Sequence, residues 1–208
     1  MKRILSAALF VHISVGLASC QNSNRMITEN KKQETIILGA GCFWCVEAIY
    51  SRVNGVIGVT SGYSGGHVEN PTYKDVCSGE TGHAEVVQVV YDPTIIPLAK
   101  ILEIYFKTHD PTTLNRQGAD AGTQYRSTII YNTEEQKKVA HEVKDMLNKS
   151  GIWSDPIVTT LEPFKNFYKA ENYHQDYFEN NTKQPYCQMV INPKVEKFEK
   201  LFKDYLKK

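Results

Sequence analysis

Between Thr35 and Val53 the apolar residues of this chain change period. Thr35-Ile36-Ile37-Leu38 is a short apolar run closed by Gly39-Ala40-Gly41, after which Val46, Ile49, Tyr50 and Val53 recur at helical spacing. A strand, a tight turn and a helix are predicted. The alternation continues along the chain. Gly55 to Val59 reads as a strand, Ser61 to Tyr73 as a polar, glycine-rich loop, and Ala84 to Tyr91 (AEVVQVVY) as a β-branched strand stopped by Asp92-Pro93. From Pro97 the positions Leu98, Ile101, Leu102, Tyr105 and Phe106 form one face of an amphipathic helix. Arg126 to Tyr131 returns to strand. Thr133 and Gln136 then read as a capping box for a helix with the stripe Val139, Val143, Met146 and Leu147, stopped by Gly151. Pro156 to Leu161 is a last strand and Ala170 to Phe178 a short aromatic helix. Strands alternating with helices predict an α/β or α+β sandwich, its helices laid on a mixed β-sheet.

One globular domain accounts for 208 residues of which 41% are hydrophobic. What precedes it has a different character. Lys2-Arg3 followed by the apolar stretch Ile4 to Leu17, interrupted at Ser6, His12 and Ser14, reads as an export signal, residues 1–19. Leu17-Ala18-Ser19-Cys20 resembles the bacterial lipobox, which makes Cys20 the expected lipidation site and membrane attachment point. Residues 20–33 then form a polar tether, and the domain is expected to span 34–208. Losing Lys2 and Arg3 moves the formal charge from +1 to −1, so no electrostatic argument for nucleic-acid binding arises. The predicted location is the bacterial cell envelope, with the domain anchored to a membrane and facing the periplasm or the exterior.

Four further cysteines are Cys42, Cys45, Cys77 and Cys187. GAGCFWCVE, residues 39–47, admits three readings. A zinc site would need a second short-spaced pair, and the sequence offers no other Cys-x-x-Cys. A dithiol couple of Cys42 and Cys45 at a helix start has the right spacing and makes a general thiol-disulfide oxidoreductase the alternative function. In the third reading Cys42 alone is the working nucleophile, its pKa lowered by the helix N-terminus, with Phe43 and Trp44 as the wall of an apolar site. At least one of two consecutive aromatics must lie near the surface.

Other residues fit the third reading. Glu85 stands at the mouth of an otherwise apolar strand, an environment that favours a protonated carboxyl able to act as an acid, although its spacing fits a plain surface glutamate equally well. Tyr73 and Tyr125 are phenols in glycine-rich loops, able to donate to a substrate oxygen. His174 reads as a satisfied structural histidine rather than a base. The stretch from Thr108 to Thr128 is long and aperiodic, which favours a functional loop.

Taken in order, GCFW, SGYSGG, NPTY, VCSGETGHAE, HDPTTLNRQGADAGTQYRS, AENYHQDYF and PYC resemble the peptide methionine sulfoxide reductases of the A type, from about Glu34 to Asn192. The resemblance implies an α+β two-layer sandwich with a ferredoxin-like core, and reduction of the S epimer of methionine sulfoxide, free or in proteins. By the same resemblance Cys42 is the nucleophile, Phe43 and Trp44 hold the substrate methyl, and Glu85 protonates the sulfoxide oxygen. Tyr73 and Tyr125 bond that oxygen, and Asp120 positions the substrate. The sulfenic acid formed on Cys42 must condense with a second thiol, and the disulfide is then reduced from outside by a thioredoxin-like protein. Cys187, on a C-terminal segment expected to be mobile, is the first choice for that thiol, because its approach does not distort a helical turn. Cys45 is the second choice, or an onward carrier. Cys77 is expected to be an inert structural thiol. No metal or organic cofactor is called for, and a monomer is expected.

Overall fold

In the computed structural model, which describes residues 33–208, the predicted alternation becomes β1 (Glu34–Ala40), α1 (Phe43–Tyr50), β2 (Val56–Ser64), α2 (Tyr73–Cys77), β3 (Ala84–Tyr91) and α3 (Leu98–Thr108). Then follow the short hairpin β4 (Arg116–Gln117) and β5 (Asp120–Ala121), β6 (Ser127–Tyr131), α4 (Glu134–Lys149), β7 (Thr160–Pro163), β8 (Tyr168–Lys169), α5 (Tyr177–Asn180) and α6 (Asn192–Leu201). The expected signal peptide and the lipidation site Cys20 lie outside the described residues.

The main sheet runs β7-β6-β1-β3-β2-β8, with β6 and β7 parallel and the other pairs antiparallel, so it is mixed. Its four central strands are joined as β-α-β-β-α-β, with α1 crossing from β1 to β2 and α3 from β3 to β6. That is the ferredoxin-like arrangement. Period-2 alternation divides β1 between two faces. Ile36, Leu38 and Ala40 join the main core with α1, α3 and α6, whereas Ile37 packs with Ala84, Val86 and Ile130 under Phe167 on the far side. The helices therefore make one layer and the sheet the other.

Several elements differ from the sequence pattern for identifiable reasons. β2 continues through Ser61 to Ser64 although these residues read as loop, because the segment is hydrogen-bonded between β3 on one side and β8 on the other. Tyr73 opens a helix instead of lying in a loop. Thr72 and Asp75 form a reciprocal cap there, with Asp75 N donating to Thr72 Oγ1 (3.3 Å) and Thr72 N to Asp75 Oδ2 (3.0 Å). At α4, Thr133 Oγ1 accepts from Gln136 N, but Gln136 Oε1 is taken by Asn132 N, so only half of the predicted box exists. In the same helix Ala140 is buried and Met146 exposed, which shifts the stripe by part of a turn. The strand predicted from Pro156 to Leu161 falls at Thr160–Pro163, and β8 follows it without having been predicted. The aromatic helix is broken into a 3₁₀ turn (Asn172–His174) and α5 by Asp176, whose φ is +50°. The C-terminal segment is helical: Cys187–Ile191 forms a π-turn that runs into α6, and Val195, Phe198 and Phe202 are buried.

Candidate active site

The turn between β1 and α1 builds the centre of the site. Gly41 has φ +85°, and a Cβ there would stand 2.5 Å from Gln117 Cβ, so the turn and the β4–β5 hairpin pack backbone against side chain. Gln117 also ties the hairpin to the end of α3: its amide nitrogen donates to Asp110 O (3.0 Å) and its oxygen accepts from Asp110 N (3.2 Å). Cys42 then caps α1 with non-helical dihedrals (φ −58°, ψ 122°).

A pocket of about 230 Å³ opens over Cys42, lined by Phe43, Trp44, Tyr73, Glu85, Asp120 and Tyr125. The fold thus gathers every predicted substrate-side residue from five separate segments. Tyr186 joins them, having drawn no attention in the sequence. It donates to Asp120 Oδ2 (2.9 Å) and meets Trp44 edge-on at 5.8 Å. Its one sequence signal is its place beside Cys187 in PYC.

Glu85 is 1% exposed and opposes Tyr63 in the β2–β3 register. Burial, with smaller contributions from the charges of Asp120 and Cys45, pushes its carboxyl up to about 8, against the pull of the N–H that Phe43 donates to Oε2 (3.1 Å). A neutral acid therefore faces the pocket at neutral pH. Burial likewise pushes the phenols of Tyr73 and Tyr125 up, so both remain protonated donors. Tyr73 is hydrogen-bonded to Cys77 one turn along α2. Cys77, expected to be an inert structural thiol, is exposed.

The apolar wall is fixed from behind. Phe43 is buried and Trp44 half-buried. Tyr177 stacks on Trp44 at 3.6 Å and 7° between planes, and Trp44 Nε1 donates to His174 Nδ1 (3.2 Å). That bond makes Nδ1 the acceptor and puts the ring proton on Nε2. Burial lowers the His174 pKa, so the ring is neutral. It is structural as expected, though not fully satisfied: Nε2 has no hydrogen-bond partner among the described residues.

Two features of the thiols differ from the expectation. The helix N-terminus does not lower the Cys42 pKa: burial, the Cys45 hydrogen bond and the charges of Cys45 and Glu85 push it up, and the nearest free amide, that of Phe43, serves Glu85 instead. Cys187 is wholly buried in the π-turn.

A buried cysteine facing a neutral carboxylic acid, phenol donors and an apolar wall defines a thiol-dependent oxidoreductase for a substrate whose oxygen must be protonated to leave. Residues 34–206 match the peptide methionine sulfoxide reductase family, and the chain belongs to it. It is 57% identical over 175 residues to the peptide methionine sulfoxide reductase MsrA of Saccharolobus solfataricus, covering 84% of this chain and 97% of that protein. Among solved structures it resembles reduced Mxr1 from Saccharomyces cerevisiae, with TM-score 0.70 and 37% identity over 76% of this chain and 91% of that one. It also resembles Mxr1 in complex with Trx2, with TM-score 0.50 and 28% identity over 74% and 91% of the two chains. The chain is an oxidoreductase that reduces methionine sulfoxide.

Proposed function

We propose that the chain reduces the S epimer of methionine sulfoxide, free or within polypeptides, by oxygen transfer to Cys42. The Cys42 thiolate attacks the sulfoxide sulfur while protonated Glu85 delivers its proton to the oxygen. Oxygen and proton pass to Cys42 as a sulfenic acid, and methionine leaves with its sulfur reduced. Tyr73 and Tyr125 donate to that oxygen, and for Tyr73 this means exchanging Cys77 for the substrate. Epimer choice needs three points: the attacking sulfur, the acid with its phenols, and the wall of Phe43 and Trp44 that takes the methyl. Asp120, held by Tyr186, orients the substrate from the hairpin side.

The observation that carries this reading is the buried Glu85, neutral near pH 7 and lining the same pocket as Cys42. A second thiol converts the sulfenic acid to a disulfide, and a thioredoxin-like protein reduces it, a partner choice supported by the complex of Mxr1 with Trx2. The protein works as a monomer. Leu17-Ala18-Ser19-Cys20 supports an envelope lipoprotein anchored through Cys20, which would repair exported proteins.

An epimer-resolved assay on methionine sulfoxide peptides with a small dithiol as reductant tests the reading. Consumption of the S epimer alone, abolished in Cys42→Ala, is expected. Consumption of the R epimer, or undiminished turnover in Cys42→Ala, would overturn it.

A further inference from the structure

We infer that Cys45, rather than Cys187, closes the first disulfide, so that oxidation passes in the order Cys42, Cys45, Cys187. This rests on the proposed oxygen transfer to Cys42 and fixes what happens next. The objection to Cys45 was that a disulfide within one helix distorts a turn, and the geometry removes it. Cys42 is the residue before the helix, with extended ψ, and Cys45 is the third residue within it. These are the two positions whose side chains meet in a capping box. Cys45 N donates to Cys42 O at 3.1 Å, and the two thiols are hydrogen-bonded to each other. Across such a turn Cα atoms lie within about 7 Å, and disulfides close at Cα separations up to about 6.8 Å.

Cys187 has no comparable approach. It is 0% exposed and locked in the π-turn ahead of α6. The residue before it, Tyr186, is hydrogen-bonded to the Cys42 and Cys45 thiols and to Asp120. For Cys187 to reach Cys42 directly, the turn must open and Tyr186 must leave the pocket. The thiol whose charge Cys187 feels is Cys45. Cys45 lies on α1, which packs against the π-turn of Cys187 in the same buried cluster, and it also faces a separate small cavity lined by His109 and by Lys194 of α6. The hydrogen bond from Cys42, and to a smaller extent Lys194, favours the Cys45 thiolate.

The steps balance. The Cys42 proton crosses its hydrogen bond to the Cys45 sulfur, leaving the Cys42 thiolate that attacks the sulfoxide. The Cys45 thiol then condenses with the Cys42 sulfenic acid, forming the Cys42–Cys45 disulfide and releasing the oxygen as water. Cys187 attacks the Cys45 sulfur, which returns Cys42 as a thiol and carries the disulfide to Cys45–Cys187, where an external dithiol is oxidised to restore both thiols.

Trypsin cleavage separates the outcomes. Cys42 and Cys45 share the fragment 33–52, and Cys187 lies in 184–194. The full chain, reduced and freed of dithiol, is mixed with excess S-sulfoxide peptide, quenched at intervals with an alkylating agent and mapped by mass. The expected first product is fragment 33–52 unalkylated and lighter by the hydrogens a disulfide removes, before any link to 184–194 forms. In Cys45→Ala the Cys42 sulfenic acid should persist and be captured by dimedone. A link between 33–52 and 184–194 that precedes the internal disulfide, or that forms at the wild-type rate in Cys45→Ala, would overturn the order while leaving oxygen transfer intact. Absence of any methionine in the first turnover of wild type would sink the oxygen-transfer reading, and the relay with it.

Discussion

Glu85→Gln should change the pH dependence of stability as well as the rate. The folded chain holds this carboxyl at about 8 against an ordinary 4.5, so the native state keeps a proton that the unfolded state releases between those values. A raised carboxyl pKa makes the native state most favoured below 4.5, and that advantage is lost as pH rises, with the loss complete above about 8. Each unit of separation is worth about 1.36 kcal/mol, which gives a total near 5 kcal/mol, most of it, roughly 3 to 4 kcal/mol, between pH 5 and pH 8. Glutamine keeps the shape and an oxygen for the Phe43 N–H but cannot ionise. Urea unfolding of the two proteins at pH 5, 6, 7 and 8 measures the difference directly. The variant should gain on wild type by roughly 3 to 4 kcal/mol across that range. Parallel pH profiles would refute the claim that Glu85 is a buried neutral acid, and with it the proton source for the reaction.

In wild type the same group should make kcat/KM fall as pH rises through about 8, because the free enzyme then loses its acid. Tyr177→Ala removes the ring stacked on Trp44, worth about 0.5–1.5 kcal/mol, and should raise KM by roughly two- to tenfold with a smaller change in kcat. Tyr186→Phe, which loses the bond to Asp120, should lower kcat/KM about tenfold. Gly41→Ala should cost at least about 2 kcal/mol in urea unfolding from strain and the Gln117 clash. Gly118→Ala, also at positive φ but with open space around it, should cost less.

Much of this was legible along the chain because it was written in period and punctuation. AEVVQVVY is β3 with the predicted bounds, and the stripe from Leu98 to Phe106 is buried on α3. The substrate-side residues were legible through whole motifs that resemble one family. What could not be read came from neighbours distant in sequence. Ser61 to Ser64 are strand because two strands flank them, and α1 is buried nearly all round because the C-terminal helix covers its other side. The same helix turns Cys187 from an expected mobile thiol into a buried one, which reverses the preference between the two resolving candidates. Tyr186 and Tyr177 carry no local signature, since an aromatic among aromatics does not announce which ring it will meet. The Cys42 pKa went the other way because the thiol is buried beside Cys45 and Glu85, and the Phe43 amide is bonded to Glu85, a partner 42 residues away.

The central claim is that protonated Glu85 drives oxygen from an S-sulfoxide onto Cys42. A single-turnover measurement of methionine formed per chain, with no reductant present and each epimer offered separately at pH 7, tests it most directly in wild type and Glu85→Gln. The account predicts a rapid methionine burst from the S epimer only, slowed by about 10²- to 10⁴-fold in Glu85→Gln. An equally fast burst in the variant, or a burst from the R epimer, would contradict it.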